Sequence, residues 1–125
     1  KFTGPIPTSI CNLTYLSILD LSNNRLSGDF PHCLGSVRNN LVSLDFSSNK
    51  IHGELPKNFR SCWSLESLDL SDNRLHGSVP KSLAHCTNLQ FLNLRGNNFR
   101  DQFPHWLGTL PSLKVLDLAS NNFYG

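Results

Sequence analysis

The hydrophobic positions of this chain return with a fixed beat. Leucines stand at Leu19, Leu44, Leu68, Leu92 and Leu116, each followed two residues later by Leu21, Phe46, Leu70, Leu94 or Leu118. Three residues further on come Asn24, Asn49, Asn73, Asn97 and Asn121. One step of the repeat is a single residue longer than the others, the extra residue falling between Val37 and Leu41, and Phe2, Gly4 and Pro7 belong to a partial copy at the start. Apolar-x-apolar alternation predicts a short strand whose leucines face inward while their neighbours face out. A period of about 24 residues predicts a solenoid. One coil cannot bury its apolar face alone, so coils stack, their strands pair in parallel, and binding is left to a surface.

Polar positions repeat as strictly. An asparagine amide both donates and accepts, so the asparagine column is predicted to be a structural ladder that satisfies backbone groups the sheet leaves unpaired. Gly4, Gly28, Gly53 and Gly77 each precede a proline by three residues, at Pro7, Pro31, Pro56 and Pro80. Glycine admits backbone conformations closed to other residues and proline fixes φ, so the pair predicts a tight second bend. Asp101 takes the glycine's place in the fourth copy. Asp tolerates a left-handed conformation better than most residues, and a local change of bend is expected there.

The template L-x-x-L-x-x-L-D-L-S-x-N-x-L-x-G-x-x-P, at Leu13 to Pro31 and again around Leu65 to Pro80, resembles the plant-specific extracellular class of leucine-rich repeats. The resemblance implies an α/β solenoid: a twisted arc with a parallel sheet on the concave face, a second short strand near L-x-G-x-x-P, and short helical turns on the convex face. FPHCLGSVRNNLVSLDFSSN and the tail NNFRDQFPHWLGTLPSLKVLDLASNNFYG are, more narrowly, similar to repeats of plant receptor-like proteins, although DLASN stands where an arginine-containing version is expected. In that family such repeats precede a non-repeat island and a membrane anchor, and the receptors carry no kinase of their own. Neither end shows a polar cap, so residues 1–125 are expected to be an uncapped segment of a longer ectodomain, about five repeats long.

Composition narrows the function. The chain has 125 residues, of which 38% are hydrophobic and 16% charged. That is one domain's worth of material, too apolar for disorder. A net charge of +2, without a basic run, disfavours nucleic acid and anionic membranes as partners. No apolar run approaches the roughly 20 residues of a membrane span. The opening KFTGPIPTSI lacks the layout of a signal peptide. Any membrane link is therefore expected through an anchor outside this segment. Cys62 and Cys86 share a column, but stacked parallel side chains would hold their Cβ atoms too far apart, so buried free thiols are expected. Cys11 and Cys33 stand two positions out of register, and their state is left open.

His52 and His76 share a column, as do His32 and His105. No carboxylate or thiolate accompanies them at ligand spacing, and neither a metal nor a cofactor is expected. No nucleophile elbow or other catalytic motif is present, so no enzyme is expected. Asn12-Leu13-Thr14 is the chain's one glycosylation sequon, and Asn12 is expected to carry a glycan.

Binding is expected on the outward strand positions. These are rich in Ser and Asp in the first three coils and change in the last two. Phe91 beside Val115 is an exposed apolar spot, and Arg95 breaks a serine column with a guanidinium suited to a carboxylate. Glu66, Asp69, Asn93, Lys114 and Asp117 complete the candidate set, although aspartate in that column also belongs to the repeat template. The expected role is a recognition module of a plant cell-surface receptor-like protein, binding a peptide or protein ligand or a co-receptor kinase ectodomain in defence or development. Its expected place is the extracellular side of the plasma membrane or the apoplast. The alternatives are a secreted inhibitor of cell-wall-degrading enzymes, of the polygalacturonase-inhibitor type, and a receptor kinase ectodomain. An ice-binding solenoid fits poorly, because it would want a regular row of threonines and Thr3, Thr8, Thr14, Thr87 and Thr109 are scattered across columns.

Overall fold

A computed structural model describes residues 1–35, 40–59 and 62–125; the extra residue placed between Val37 and Leu41 falls on the stretch 36–39 outside them. Its strands in chain order are β1 (Thr3–Pro5), β2 (Ile18–Asp20), β3 (Arg25–Ser27), β4 (Ser43–Asp45), β5 (His52–Gly53), β6 (Ser67–Asp69), β7 (Arg74–Gly77), β8 (Phe91–Asn93), β9 (Asn98–Phe99) and β10 (Val115–Asp117). Each apolar-x-apolar segment supplies one strand of a five-stranded parallel sheet, ordered β10-β8-β6-β4-β2. The leucines lie in register across it, Leu19 on Leu44, Leu44 on Leu68, Leu68 on Leu92 and Leu92 on Leu116. The predicted second strands pair in parallel along the flank of the coils, as β1-β3 and β5-β7-β9. Among the described residues helix is confined to 3₁₀ turns at Thr8–Asn12, His32–Gly35, Lys81–His85 and His105–Thr109, which bring the chain back across the convex side.

Leucines that alternate along a strand point into the coil, and stacking seals them. Leu68, Leu70, Leu92 and Leu94 are wholly buried, with Phe30, Phe46 and Phe99 beside them. Leu116, on the edge strand β10, is 38% exposed, because only one side of it is covered.

The asparagines form the ladder that their chemistry predicts. Asn73 Nδ2 donates to the carbonyls of Leu70 and Ser71 in its own coil and of Phe46 in the coil before, while its Oδ1 accepts the backbone N–H of Ile51. Asn49, Asn97 and Asn121 repeat the set one coil earlier and later. Asn24 accepts from Phe2 and donates within its own coil. Asparagine fits because one planar group supplies the donors and the acceptor that a parallel coil junction lacks.

The residue before each ladder asparagine bends the chain. Asn23, Ser48, Asp72, Gly96 and Ser120 all have φ between 55° and 72°, the left-handed region. At the second bend Gly77 has φ +82°, and a Cβ there would collide with the Glu54 side chain. Asp101 does not take the left-handed conformation expected of it. The change of bend is nonetheless present: Pro104 has ψ 71°, where Pro7 and Pro80 have 138° and 128°. The backbone relieves the missing glycine downstream rather than at Asp101, whose side chain accepts the N–H of Gln102.

The free thiols expected at Cys62 and Cys86 are instead a disulfide, with Cα atoms 5.1 Å apart, and Cys11 pairs with Cys33 at 6.0 Å. Both lie within the roughly 4.4–6.8 Å that disulfides span. The expectation failed because it gave these cysteines strand geometry. Cys86 follows a 3₁₀ turn with φ −84° and ψ 70°, so the Cβ vectors need not run parallel as they do on the sheet.

Candidate ligand-binding face

The outward side of the five-stranded sheet is built by the same alternation that fills the core. In the template column Asp20, Asp45, Asp69 and Asp117, and Asn93 with them, each side-chain oxygen Oδ1 accepts the backbone N–H of the residue two further on. These bonds fix the turn that leads into the left-handed residue, which gives the column a local structural task. At Asp20 the Ser22 hydroxyl and the Ser22 N–H both donate to the carboxylate and hold its pKa below the usual value.

Of the candidate residues, the structure brings Phe91, Val115, Arg95 and Asp117 together. Phe91 lies in register between Ser67 and Val115. It is half-buried rather than exposed as expected, whereas Val115 is 50% exposed, so the apolar spot is carried mainly by Val115. Arg95 Nη1 stands 3.6 Å from Asp117 Oδ2, both side chains partly in solvent. A half-exposed pair of this kind is worth about 0–1 kcal/mol, so an incoming carboxylate can take the guanidinium at little expense. Glu66 and Lys114 are exposed in one row with Gln90 between them, and among the described residues neither holds an ion-pair partner. Asp69 and Asn93 sit in register beside each other, half-buried, each holding its turn. A shallow hollow lined by Glu54, Lys57, Ser78, Lys81 and Asp101 lies away from this sheet.

Asn12 closes the Thr8–Asn12 turn and is exposed together with Leu13 and Thr14, so the sequon is open to solvent. The histidines do not converge. His52 Nδ1 is 3.2 Å from Asp29, His32 Nε2 donates to the Glu54 carbonyl, and His105 packs against Phe103. Among the described residues no three metal-binding side chains come together, and no helix is long and apolar enough to cross a membrane.

Two surface features lay outside the candidate set. Ile18 is 64% exposed on β2, at the opposite edge from Val115. On the flank, folding gathers cations that the chain's composition disperses: Arg25, Lys50 and Arg74, all exposed, follow the ladder asparagines of three successive coils. No basic run exists along the sequence, but aligning the copies shows these three in one column.

An open solenoid with a regular parallel sheet is the architecture of a stacked-repeat protein. Three family models match it: Leucine Rich Repeat over residues 15–37, Leucine rich repeat over 39–99 and Leucine Rich repeats (2 copies) over 87–124. The chain belongs to the leucine-rich-repeat family, and its repeats are similar to those of plant receptor-like proteins. Receptor-like protein 32 of Arabidopsis thaliana is 43% identical over 67 residues, 53% of this chain and 8% of the relative. The chain thus spans under a tenth of that relative. The Arabidopsis receptor kinase HAESA, solved with the peptide hormone IDA and the co-receptor SERK1, superposes with a TM-score of 0.94 at 34% identity, covering 100% of this chain and 21% of that one. A plant ice-binding protein also superposes, at TM-score 0.87 and 31% identity over 97% of this chain and 39% of its own, so fold alone does not define a role. Kinship with receptor ectodomains, together with two disulfides, places the chain outside the cell.

Proposed function

We propose that this chain is a non-enzymatic recognition segment of a plant cell-surface receptor-like protein, and that its concave sheet contacts a peptide or protein ligand or a co-receptor ectodomain. The observation that carries the reading is the break in the repeat on β8 and β10. There an apolar side chain, Val115, stands against Phe91, and a lightly held Arg95 replaces serine, while β4 and β6 keep Ser43 and Ser67 in that column, whose other apolar residue, Ile18, stands apart on β2. Apolar surface flanked by an available guanidinium is the composition of an interface hot spot. The likeness to HAESA, solved with a peptide and a co-receptor, and to Receptor-like protein 32 supports a receptor over a secreted enzyme inhibitor. On this reading the parent protein is held at the plasma membrane by an anchor outside the segment, and Asn12 carries a glycan.

Site-directed photo-crosslinking tests it. A photoreactive phenylalanine analogue at Phe91 or Val115 is expected to capture a discrete extracellular peptide or protein from plant tissue, and the same analogue at Ser47 is not. Arg95→Ala is expected to weaken capture at Val115 about tenfold, as loss of a hot-spot contact does. Equal yields at Ser47 and Val115 would remove the case for this face.

A further inference from the structure

We propose that the flank carrying β3, β5, β7 and β9 is a second binding surface, for a linear acidic polysaccharide made of uronate units. The outward residues of these strands and of the positions leading into them are Arg25 and Ser27, then Lys50 and His52, then Arg74 and His76, then Asn98 and Arg100. The residues between them, Leu26, Ile51, Leu75 and Phe99, are buried, so alternation turns every cation of the set to the same side. One permanent cation is thereby presented by each of four successive coils. Among the described residues no carboxylate forms an ion pair with Arg25, Lys50, Arg74 or Arg100; of the acids on this flank, Asp29 lies in register beside His52 and is held by it.

Three properties select the occupant. The cations form a row along the solenoid axis rather than a pocket, so the ligand must be extended, reaching at least about 14 Å over three coil steps of ~4.8 Å. No outward residue from Arg25 to Arg100 in these strands is aliphatic or carries a phenyl ring, so a folded protein finds none of the apolar anchors on which stable protein interfaces depend. Serine, asparagine and imidazole between the cations are suited to hydroxyls. A polymer with one carboxylate and several hydroxyls per ring satisfies all three, and such polymers belong to the extracellular surroundings in which this chain sits. The net charge of the whole protein is only +2, so the attraction is local. It fades within a screening length of about 8 Å at physiological salt. The inference does not depend on the concave face.

Calorimetric titration with a hexamer of 1,4-linked galacturonate is the test, beside a neutral glucose hexamer and a hexa-glutamate peptide of equal charge. Saturable binding of the uronate hexamer that weakens as salt rises, with no binding of the neutral sugar and weaker binding of the peptide, is expected. The triple variant Arg25→Gln, Lys50→Gln, Arg74→Gln is expected to lose about tenfold in affinity. These side chains are exposed and unpaired, so its thermal melt should match the parent's; a lowered melt would call for each single variant to show its own share of the loss. Phe91→Ala and Arg95→Ala are expected to leave uronate binding unchanged, which separates this surface from the concave one. Equal affinity of the triple variant, equal binding of the neutral sugar, or tighter binding of the glutamate peptide would each overturn the proposal.

Discussion

At the scale of single residues, one amide does the work of several. Asn73 is buried, and its removal orphans the N–H of Ile51 and takes one of two donors from each of the carbonyls of Phe46, Leu70 and Ser71, which keep Asn49, Asn97 and the Ser48 N–H. Each unsatisfied buried group costs about 1–3 kcal/mol. Asn73→Ala is therefore expected to destabilise the protein by roughly 2–4 kcal/mol in urea unfolding. Asn24→Ala should cost clearly less, because Asn24 is partly open to solvent and its acceptor bond to Phe2 is exposed. Similar costs at the two positions would mean that the ladder does not act through burial. The ladder was legible in the sequence because amide chemistry and strict recurrence coincide. The column before it was not: Asn, Ser, Asp, Gly and Ser share no side-chain chemistry, only tolerance of a positive φ, which appears once the dihedrals are known.

Between elements, the two disulfides staple neighbouring coils on the side away from the sheet. Strand positions could be read from sequence because alternation fixes where each side chain points. The return path could not, since a 3₁₀ turn and its capping residue follow no such rule, and the cysteines lie there. Cys62 and Cys86 close a loop of one full coil, their sequence separation being 24. Such a closure restricts the unfolded chain by about 3 kcal/mol. The double variant Cys62→Ala, Cys86→Ala is expected to lose about that much. A further loss arises where the wholly buried Cys86 leaves space behind. Alkylation of the unfolded but unreduced protein, followed by mass spectrometry, is expected to label no cysteine. Labelling at Cys62 or Cys86 would restore the free-thiol expectation.

For the whole molecule, each coil touches only its neighbours, so stability is a sum along a line rather than a property of one centre. That is why the fold was so much more legible than the site. The architecture is specified by what every coil has in common, whereas binding is specified by where single coils depart from the pattern. A departure such as Arg95 or Val115 carries no statement of its purpose, and half-burial of Phe91 depends on neighbours in other coils. The linear design also makes a graded prediction. Leu92 and Leu116 occupy one column, but Leu92 is covered by strands on both sides and wholly buried, while Leu116 on the edge strand is 38% exposed. In residues 1–125 taken alone, Leu92→Ala is expected to cost about 3–5 kcal/mol and Leu116→Ala about 1–2 kcal/mol, since both the transfer and the cavity contributions shrink with exposure. Hydrogen exchange should follow the same gradient. The amides of Phe46 and Leu70, bonded across to Asp69 and Asn93, are expected to exchange more slowly than that of Leu21 at the edge. Equal costs for the two leucines, with uniform protection from β2 to β10, would show that the coils unfold as a single block rather than as coupled neighbours.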